Sequence, residues 1–112
     1  MSNYYESNDL KKFGAIGKHA KGLADDFFKY YGNVTGTDGA LTRREKALIA
    51  LAVSHTVQCP YCIDAYSKES LQQGADLEQM TEALHVAAAI RGGASLVHGV
   101  QMLEHVHKQV MG

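Results

Sequence analysis

Two cysteines in the segment Cys59-Pro60-Tyr61-Cys62 are the residues whose types and spacing most clearly favour chemistry. A CxxC spacing brings two sulfur atoms within bonding reach, so that one thiolate attacks an electrophile and the second thiol resolves the product. Pro60 is the only proline and suits the first position of a helix, which makes Cys59 its N-cap. The free N–H groups and the dipole at that end favour a thiolate. The sequence therefore predicts a redox pair.

Other interpretations of the same two cysteines stay open. His55 lies in the same short stretch, and His85 or His98 could complete a zinc site, although no second closely spaced ligand pair accompanies them. Two adjacent thiolates also suit a soft ion such as trivalent arsenic, which would make the protein a non-catalytic dithiol binder. Two buried, inert thiols would need no ligand.

Three side chains close to the CxxC in the sequence could assist the thiols. Tyr66 lies one helical turn after Cys62, where its phenol could donate a hydrogen bond to a thiolate or simply pack. His55, one turn before Cys59, could stabilise a thiolate or favour the C-terminal end of the preceding helix. Glu45 could relay protons, although its place in a helix capping box already explains it.

The elements that must position these residues are all predicted to be helices. Periodicity and capping signals predict six of them: five over residues 8–17, 20–31, 60–73, 77–91 and 94–109, and a third helix that begins after the N-cap Thr42 and includes the apolar run to Val53. Gly32 is the expected end of the second helix, and Gly92-Gly93 is the expected break between the last two. The third helix is apolar on all sides from Ala47 to Val53, which predicts burial by a central position or by another subunit.

Composition and charge exclude several classes of function. The chain has 112 residues, of which 46% are hydrophobic and 21% charged, which predicts one compact all-α domain over residues 1–112. A net charge of -1 argues against nucleic-acid binding. No apolar run reaches membrane-span length and no signal pattern opens the chain, so a cytoplasmic location with no membrane partner is expected. In that compartment a lone CxxC is more often reactive than a static crosslink.

Three segments together resemble the alkylhydroperoxidase D-like, carboxymuconolactone decarboxylase family: Leu41–Val53, Cys59–Cys62 and Glu82–Ala89. The whole sequence is most similar to the peroxidase-like branch associated with arsenosugar biosynthesis. The resemblance implies an all-helical fold that assembles into trimers or hexamers. It also implies that Cys62 attacks a hydroperoxide and that Cys59 resolves the sulfenic acid, whereas the helix N-terminus favours a thiolate at Cys59.

The sequence departs from the peroxidase pattern of that family at its proton relay. The relay glutamate twelve residues before the first cysteine is Ala47 here, and the histidine four residues after the second cysteine is Tyr66. The histidine that often precedes the second cysteine is Tyr61. General base assistance commonly contributes about 10²–10⁴-fold to a rate. The decarboxylase members work without a CxxC and are a poorer match.

The sequence therefore predicts a thiol-dependent peroxidase or disulfide reductase that acts through Cys59 and Cys62. Its substrate would be a hydroperoxide or a disulfide, and no bound cofactor is expected. An external reductant, such as a thioredoxin-like or lipoyl-bearing protein, would restore the two thiols.

Overall fold

The computed structural model describes residues 6–111, and within them every regular element is helical. A 3-10 helix, Ser7–His19, comes first. Four α-helices follow: α1 Lys21–Thr35, α2 Arg43–Thr56, α3 Pro60–Gln72 and α4 Leu77–Met111. The all-α prediction is confirmed.

Helix α2 lies at the centre, against α3 on one side and the first part of α4 on another. The small core contains Leu51, Ala75 and Met80, with Leu48 and Tyr66 packed on it. The opposite side of α2 is open, since Ile49 and Val53 are 50% and 51% exposed. Within one chain, α2 is therefore buried where it faces α3 and α4, but not on all sides as the sequence predicts.

Side-chain caps fix where the inner helices begin, as the sequence predicts. The Thr42 hydroxyl accepts from the Glu45 backbone N–H, and the Glu45 carboxylate accepts from the Thr42 N–H. Asp76 and Gln79 form the same reciprocal pair at the start of α4, with distances of 2.8 and 3.0 Å. These two boxes satisfy N–H groups that a helix start leaves without partners.

Two predicted helix boundaries are wrong, and the first helix is of a different type from the one expected. The last two predicted helices are one continuous α4, because Gly92 and Gly93 keep negative φ and each costs only about 1 kcal/mol relative to alanine in a helix. Helix α1 likewise continues through Gly32 to Thr35. The first helix is a 3-10 helix, and its Gly17 lies so close to α1 that an added Cβ would stand 3.0 Å from the Ala24 methyl group.

The C-terminal part of α4 extends away from the other helices. The helix has 35 residues, which at 1.5 Å per residue corresponds to about 52 Å. From Ala88 to Met111 every residue except Gly99 is exposed. The radius of gyration is 19.2 Å, whereas a compact chain of this length has about 13 Å. In the described part of the chain, no helix has both the length and the apolar character needed to cross a membrane.

Candidate active site

A tight turn between α2 and α3 places Cys59 at the start of α3. Gln58 adopts a left-handed conformation with φ of 57°, and the Cys59 N–H donates to the carbonyl of Ser54 at 3.0 Å. Cys59 has extended dihedral angles and is the N-cap of α3, with Pro60 at the first helical position. The Cys59 sulfur accepts the Cys62 backbone N–H at 3.3 Å. The predicted N-cap is confirmed, and a helix N-terminus is directed at this sulfur.

The two sulfurs form a close, reduced pair. Cys59 Sγ and Cys62 Sγ lie 2.7 Å apart, and both cysteines are free and partly buried. A disulfide bond has an S–S distance of about 2.05 Å, so a short movement of either side chain would allow the bond to form. Burial, the hydrogen bond with Cys59 and the charge of Cys59 raise the pKa of Cys62 to about 11. Cys62 therefore holds its proton firmly while Cys59 faces the helix N-terminus.

A cavity of about 890 Å³ opens over the two thiols. The 3-10 helix and α1 supply an apolar wall, made of Leu10, Phe13, Ile16 and Phe28. The Phe13 and Phe28 rings meet edge to face with centroids 5.0 Å apart, which links the two elements. Polar side chains complete the lining, among them Tyr31, Arg43, Tyr61, Tyr66 and Glu69. The cavity can hold an organic molecule with its reactive group at the sulfurs.

The 3-10 helix is attached to α3 by hydrogen bonds near the cavity mouth. The Tyr61 hydroxyl donates to Asp9 Oδ2 at 2.9 Å, and the Ser7 hydroxyl donates to Asp64. Tyr61 stands between the two cysteines in the sequence, so the segment that carries the thiols also holds the element that covers them. Nothing in the sequence indicates this contact, because it joins residues 52 positions apart.

Two tyrosines from different helices form a hydrogen bond on the cavity wall. The Tyr31 hydroxyl of α1 and the Tyr66 hydroxyl of α3 are directly bonded. Burial, this hydrogen bond and the charges of Tyr66, Cys62 and Cys59 raise the pKa of Tyr31 above its ordinary value. Tyr66 is one of the residues that the sequence singled out. Tyr31 is not among them, since nothing in the sequence pairs α1 with α3.

The other two sequence candidates lie outside the cavity lining. Glu45 is exposed and bound to Thr42, and both hydrogen bonds from Thr42 lower the pKa of its carboxyl. His55 Nδ1 is 2.8 Å from the carbonyl oxygen of Leu51, one turn earlier in α2. Ala47, at the family's relay position, is buried with 2% of its surface exposed. The structure thus brings Tyr66 together with the cysteines but not Glu45 or His55.

No group of three or more histidine, cysteine, aspartate or glutamate side chains in residues 6–111 is arranged to hold a metal ion. The histidines proposed from the sequence as further zinc ligands, His85 and His98, are exposed on α4. Neither lines the cavity over the CxxC.

The sequence model of the carboxymuconolactone decarboxylase family matches residues 22–105, which include α1 to α3, both cysteines and most of α4. The chain belongs to this family. The family includes decarboxylases and alkylhydroperoxidase D-like peroxidases, so membership supports a general peroxidase-like or redox class. The resemblance at family level is confirmed, whereas the arsenosugar-associated branch stays a prediction.

This chain is similar in sequence to one relative and in both sequence and fold to two solved structures. An uncharacterized protein 4 in the cox locus of Paracoccus denitrificans is 42% identical over 95 residues, covering 83% of this chain and 86% of its own. A family member from Legionella pneumophila, solved in its apo form, has a TM-score of 0.67 at 31% identity and covers 87% and 86%. A structure from Methanobacterium thermoautotrophicum has a TM-score of 0.69 at 32% identity and covers 76% and 94%.

Proposed function

We propose that this protein is a thiol-dependent oxidoreductase in which Cys59 and Cys62 reduce a hydroperoxide or a disulfide. The single observation that carries the proposal is the 2.7 Å separation of two free sulfurs at the start of a helix, beneath an open cavity. Two thiols at this distance close a disulfide with little reorganisation. Family membership supports the same class of chemistry.

For a hydroperoxide the proposed reaction has two steps. A thiolate attacks one oxygen of the O–O bond, which breaks to leave an alcohol and a sulfenic acid on the sulfur. The second thiol then displaces the hydroxyl of that sulfenic acid, so that water leaves and the disulfide forms. A reductant dithiol, carried by a thioredoxin-like or lipoyl-bearing protein, regenerates both thiols by exchange and is itself oxidised to a disulfide.

The choice of attacking sulfur separates two versions of this reaction. The family resemblance gives Cys62 that role, whereas the N–H donated to the Cys59 sulfur and the raised pKa of Cys62 favour the negative charge on Cys59. Cys59→Ser and Cys62→Ser each leave one thiol. After one turnover, the variant that retains the attacking sulfur traps as a sulfenic acid, which a dimedone-type probe labels.

A thiol count tests the proposal. Reduced, metal-free protein is assayed before and after one equivalent of an organic hydroperoxide. We expect both thiols of each chain to disappear rapidly and a dithiol reductant to restore them. Urea-unfolded protein is the matched control, because its thiols are present but are no longer held together beneath the cavity. Thiols that stay free in the folded protein, or react no faster than in the unfolded chain, would exclude hydroperoxide reduction, and the same result with a disulfide as the oxidant would exclude the function as a whole.

A non-catalytic dithiol binder is the second candidate, favoured by the same sulfur pair and by the absence of the family's relay at Ala47. Two adjacent thiolates would hold a soft ion such as trivalent arsenic. One-to-one binding of arsenite that disappears in Cys59→Ser and in Cys62→Ser, together with no oxidation of the thiols by hydroperoxide, would select this function over the first.

We also propose that copies of this chain assemble through α4, as the expected trimer or hexamer requires. Its exposed apolar residues include Leu96, Val100, Leu103 and Val110, whose spacings of four, three and seven suit a helix–helix seam. A soluble monomer seldom exposes an apolar surface of this extent. Sedimentation equilibrium should give a mass of three or six chains, and a monomer at micromolar concentration would contradict the proposal.

A further inference from the structure

The Tyr31–Tyr66 pair has no role in the two-step reaction above, yet it lies on the wall that carries both sulfurs. Cleavage of an O–O bond by a thiolate releases an alkoxide, which is a poor leaving group unless a proton reaches it. A site for this reaction therefore needs an acid close to the sulfurs.

Three of the other acidic and basic side chains of the cavity are already engaged, and the fourth, Lys12, is an exposed residue of the 3-10 helix. Asp9 accepts the Tyr61 hydroxyl, and Glu69 accepts from Gln73 and pairs with Arg43. No histidine is among the described residues that line the cavity. The phenols are the remaining hydroxyl acids that share the wall with both cysteines, apart from Tyr61, which donates to Asp9.

We propose that Tyr31 is a catalytic residue that donates the proton to the leaving oxygen, and that Tyr66 is a positioning residue that holds it. This inference rests on the proposed peroxidase function. As the sulfur–oxygen bond forms and the O–O bond breaks, the leaving oxygen takes the Tyr31 hydroxyl proton. The proton released when the attacking thiol ionised then returns to the phenol, so one thiol proton ends on the alcohol and the other leaves with water.

The direction of proton transfer follows from the environment of Tyr31. Because burial, the largest cause, raises the pKa of Tyr31, the phenol stays protonated at neutral pH and serves as an acid rather than as a base. A neutral phenol also places no second negative charge beside the thiolate. Either hydroxyl of the pair can be the hydrogen-bond donor, so when Tyr66 donates, the Tyr31 O–H is free to point at the substrate.

The leaving group provides a test that a packing role would not pass. An alkyl hydroperoxide such as tert-butyl hydroperoxide releases a strongly basic alkoxide, whereas a peroxycarboxylic acid releases a carboxylate that needs no proton. We expect Tyr31→Phe to slow single-turnover thiol oxidation by the alkyl hydroperoxide about 100-fold and by the peroxy acid less than about threefold. Tyr66→Phe should slow the alkyl reaction about tenfold, because Tyr31 keeps its own hydroxyl.

Two controls separate a chemical effect from a folding defect. Tyr30→Phe removes the same hydroxyl from the same helix at a residue that is 67% exposed and does not line the cavity, and it should change neither rate. Alkylation by iodoacetamide, whose leaving iodide needs no proton, should proceed at the wild-type rate in Tyr31→Phe.

The same experiment separates failure of the Tyr31 role from failure of the peroxidase function. Equal losses with both oxidants, or no loss with the alkyl hydroperoxide, would overturn the role of Tyr31 while leaving the peroxidase function in place. If neither oxidant consumes the wild-type thiols faster than those of unfolded protein, the proposed function itself fails, and the role of Tyr31 fails with it.

Discussion

The start of α3 and the C-terminal part of α4 are surrounded in opposite ways. Around Cys59 and Cys62, side chains from the 3-10 helix, α1 and α2 converge to form a cavity wall. From Ala88 to Met111, one exposed helix carries many apolar side chains, and no other element within residues 6–111 covers them. Leu96 shows the contrast most clearly, since 81% of its surface is exposed.

This difference suggests that one region acts within a single chain and that the other acts between chains. The walls of the thiol cavity come from one chain, so we expect its chemistry to be a property of each chain. The apolar surface of α4 loses its contact with water only when another molecule covers it, so we expect it to govern assembly. Variants of each region, and a change of pH, test this separation.

A charge placed in the α4 seam should give the largest change. Leu103→Glu would bury an unpaired carboxylate between helices, which is costly, and should reduce the sedimentation mass to that of one chain. The rate of thiol oxidation should stay within about threefold of wild type if the cavity is complete in one chain.

Gln101→Glu is the matched control for that variant, because it adds the same charge to the same helix at a position that is already polar. It should retain the wild-type mass. A dissociated Leu103→Glu protein that has lost thiol oxidation while keeping its helical content would show that the separation of the two regions is wrong.

Alkaline pH should weaken the thiol region specifically. The pKa of Cys62 is about 11 in the folded chain against 9.0 for an ordinary thiol, and the pKa of Tyr31 is also raised. The stability that these two groups contribute is therefore fully present below pH 9. It is lost as the pH rises towards 11, because the groups ionise in the unfolded chain before they ionise in the native one. Urea midpoints measured from pH 8 to pH 11 should fall.

Single variants show whether that pH dependence arises from Cys62 and its coupling to Cys59. Cys62→Ser should flatten the fall between pH 9 and pH 11, because serine does not ionise there. In Cys59→Ser, the thiolate absorbance of Cys62 should appear at a lower pH than in wild type, since the Cys59 hydrogen bond and charge both raise its pKa. An unchanged titration in Cys59→Ser would contradict the coupling of the two thiols.

Loosening the cover of the cavity should have a moderate effect. Tyr61→Phe removes the hydroxyl that donates to Asp9, a hydrogen bond to a charged group worth about 1.5–3 kcal/mol. Part of that loss should appear as easier opening of the 3-10 helix, so a bulky maleimide should label the thiols about five- to tenfold faster. Tyr30→Phe should leave the labelling rate unchanged, and equal rates in both variants would show that the 3-10 helix does not limit access.

The smallest effects are expected at the capping box of α2, which belongs to neither region. Thr42→Ala should lower the free energy of unfolding by about 1 kcal/mol, the usual cost of losing an N-cap. Glu45→Gln keeps an acceptor for the Thr42 N–H, so thiol oxidation should stay within about twofold of wild type. A 100-fold loss in Glu45→Gln would instead support the proton relay considered from the sequence.

Local features of this protein follow closely from its sequence. The two capping boxes and the N-cap at Cys59 depend on residues three apart, so the chemistry of the side chains is enough to predict them. Breaks are harder to predict, because a glycine only makes a helix less stable. Helix α1 continues through Gly32, and α4 continues through Gly92-Gly93, where the alanines on either side favour a helix even without neighbouring elements.

The residues of the candidate site also fall into those that local sequence predicts and those that it does not. Cys59, Cys62 and Tyr66 share one short segment, and their spacing on a helix was enough to group them. Tyr31 lies 35 residues from Tyr66, and the sequence contains no periodicity that reaches across two intervening helices. Glu45 and His55 were near the cysteines in the chain, but their helix directs them to a capping box and to a backbone carbonyl instead.

By itself, the sequence determined that this protein is helical, that its helices begin at particular caps, and that two thiols stand at a helix N-terminus. These properties arise from interactions within one or two turns. Only the packing of whole helices determines that α1 brings a second phenol to the thiols, that the 3-10 helix covers them, and that half of α4 has no cover among residues 6–111. Such contacts depend on how whole helices pack, and that is set by the combined surfaces of many residues far apart in the chain.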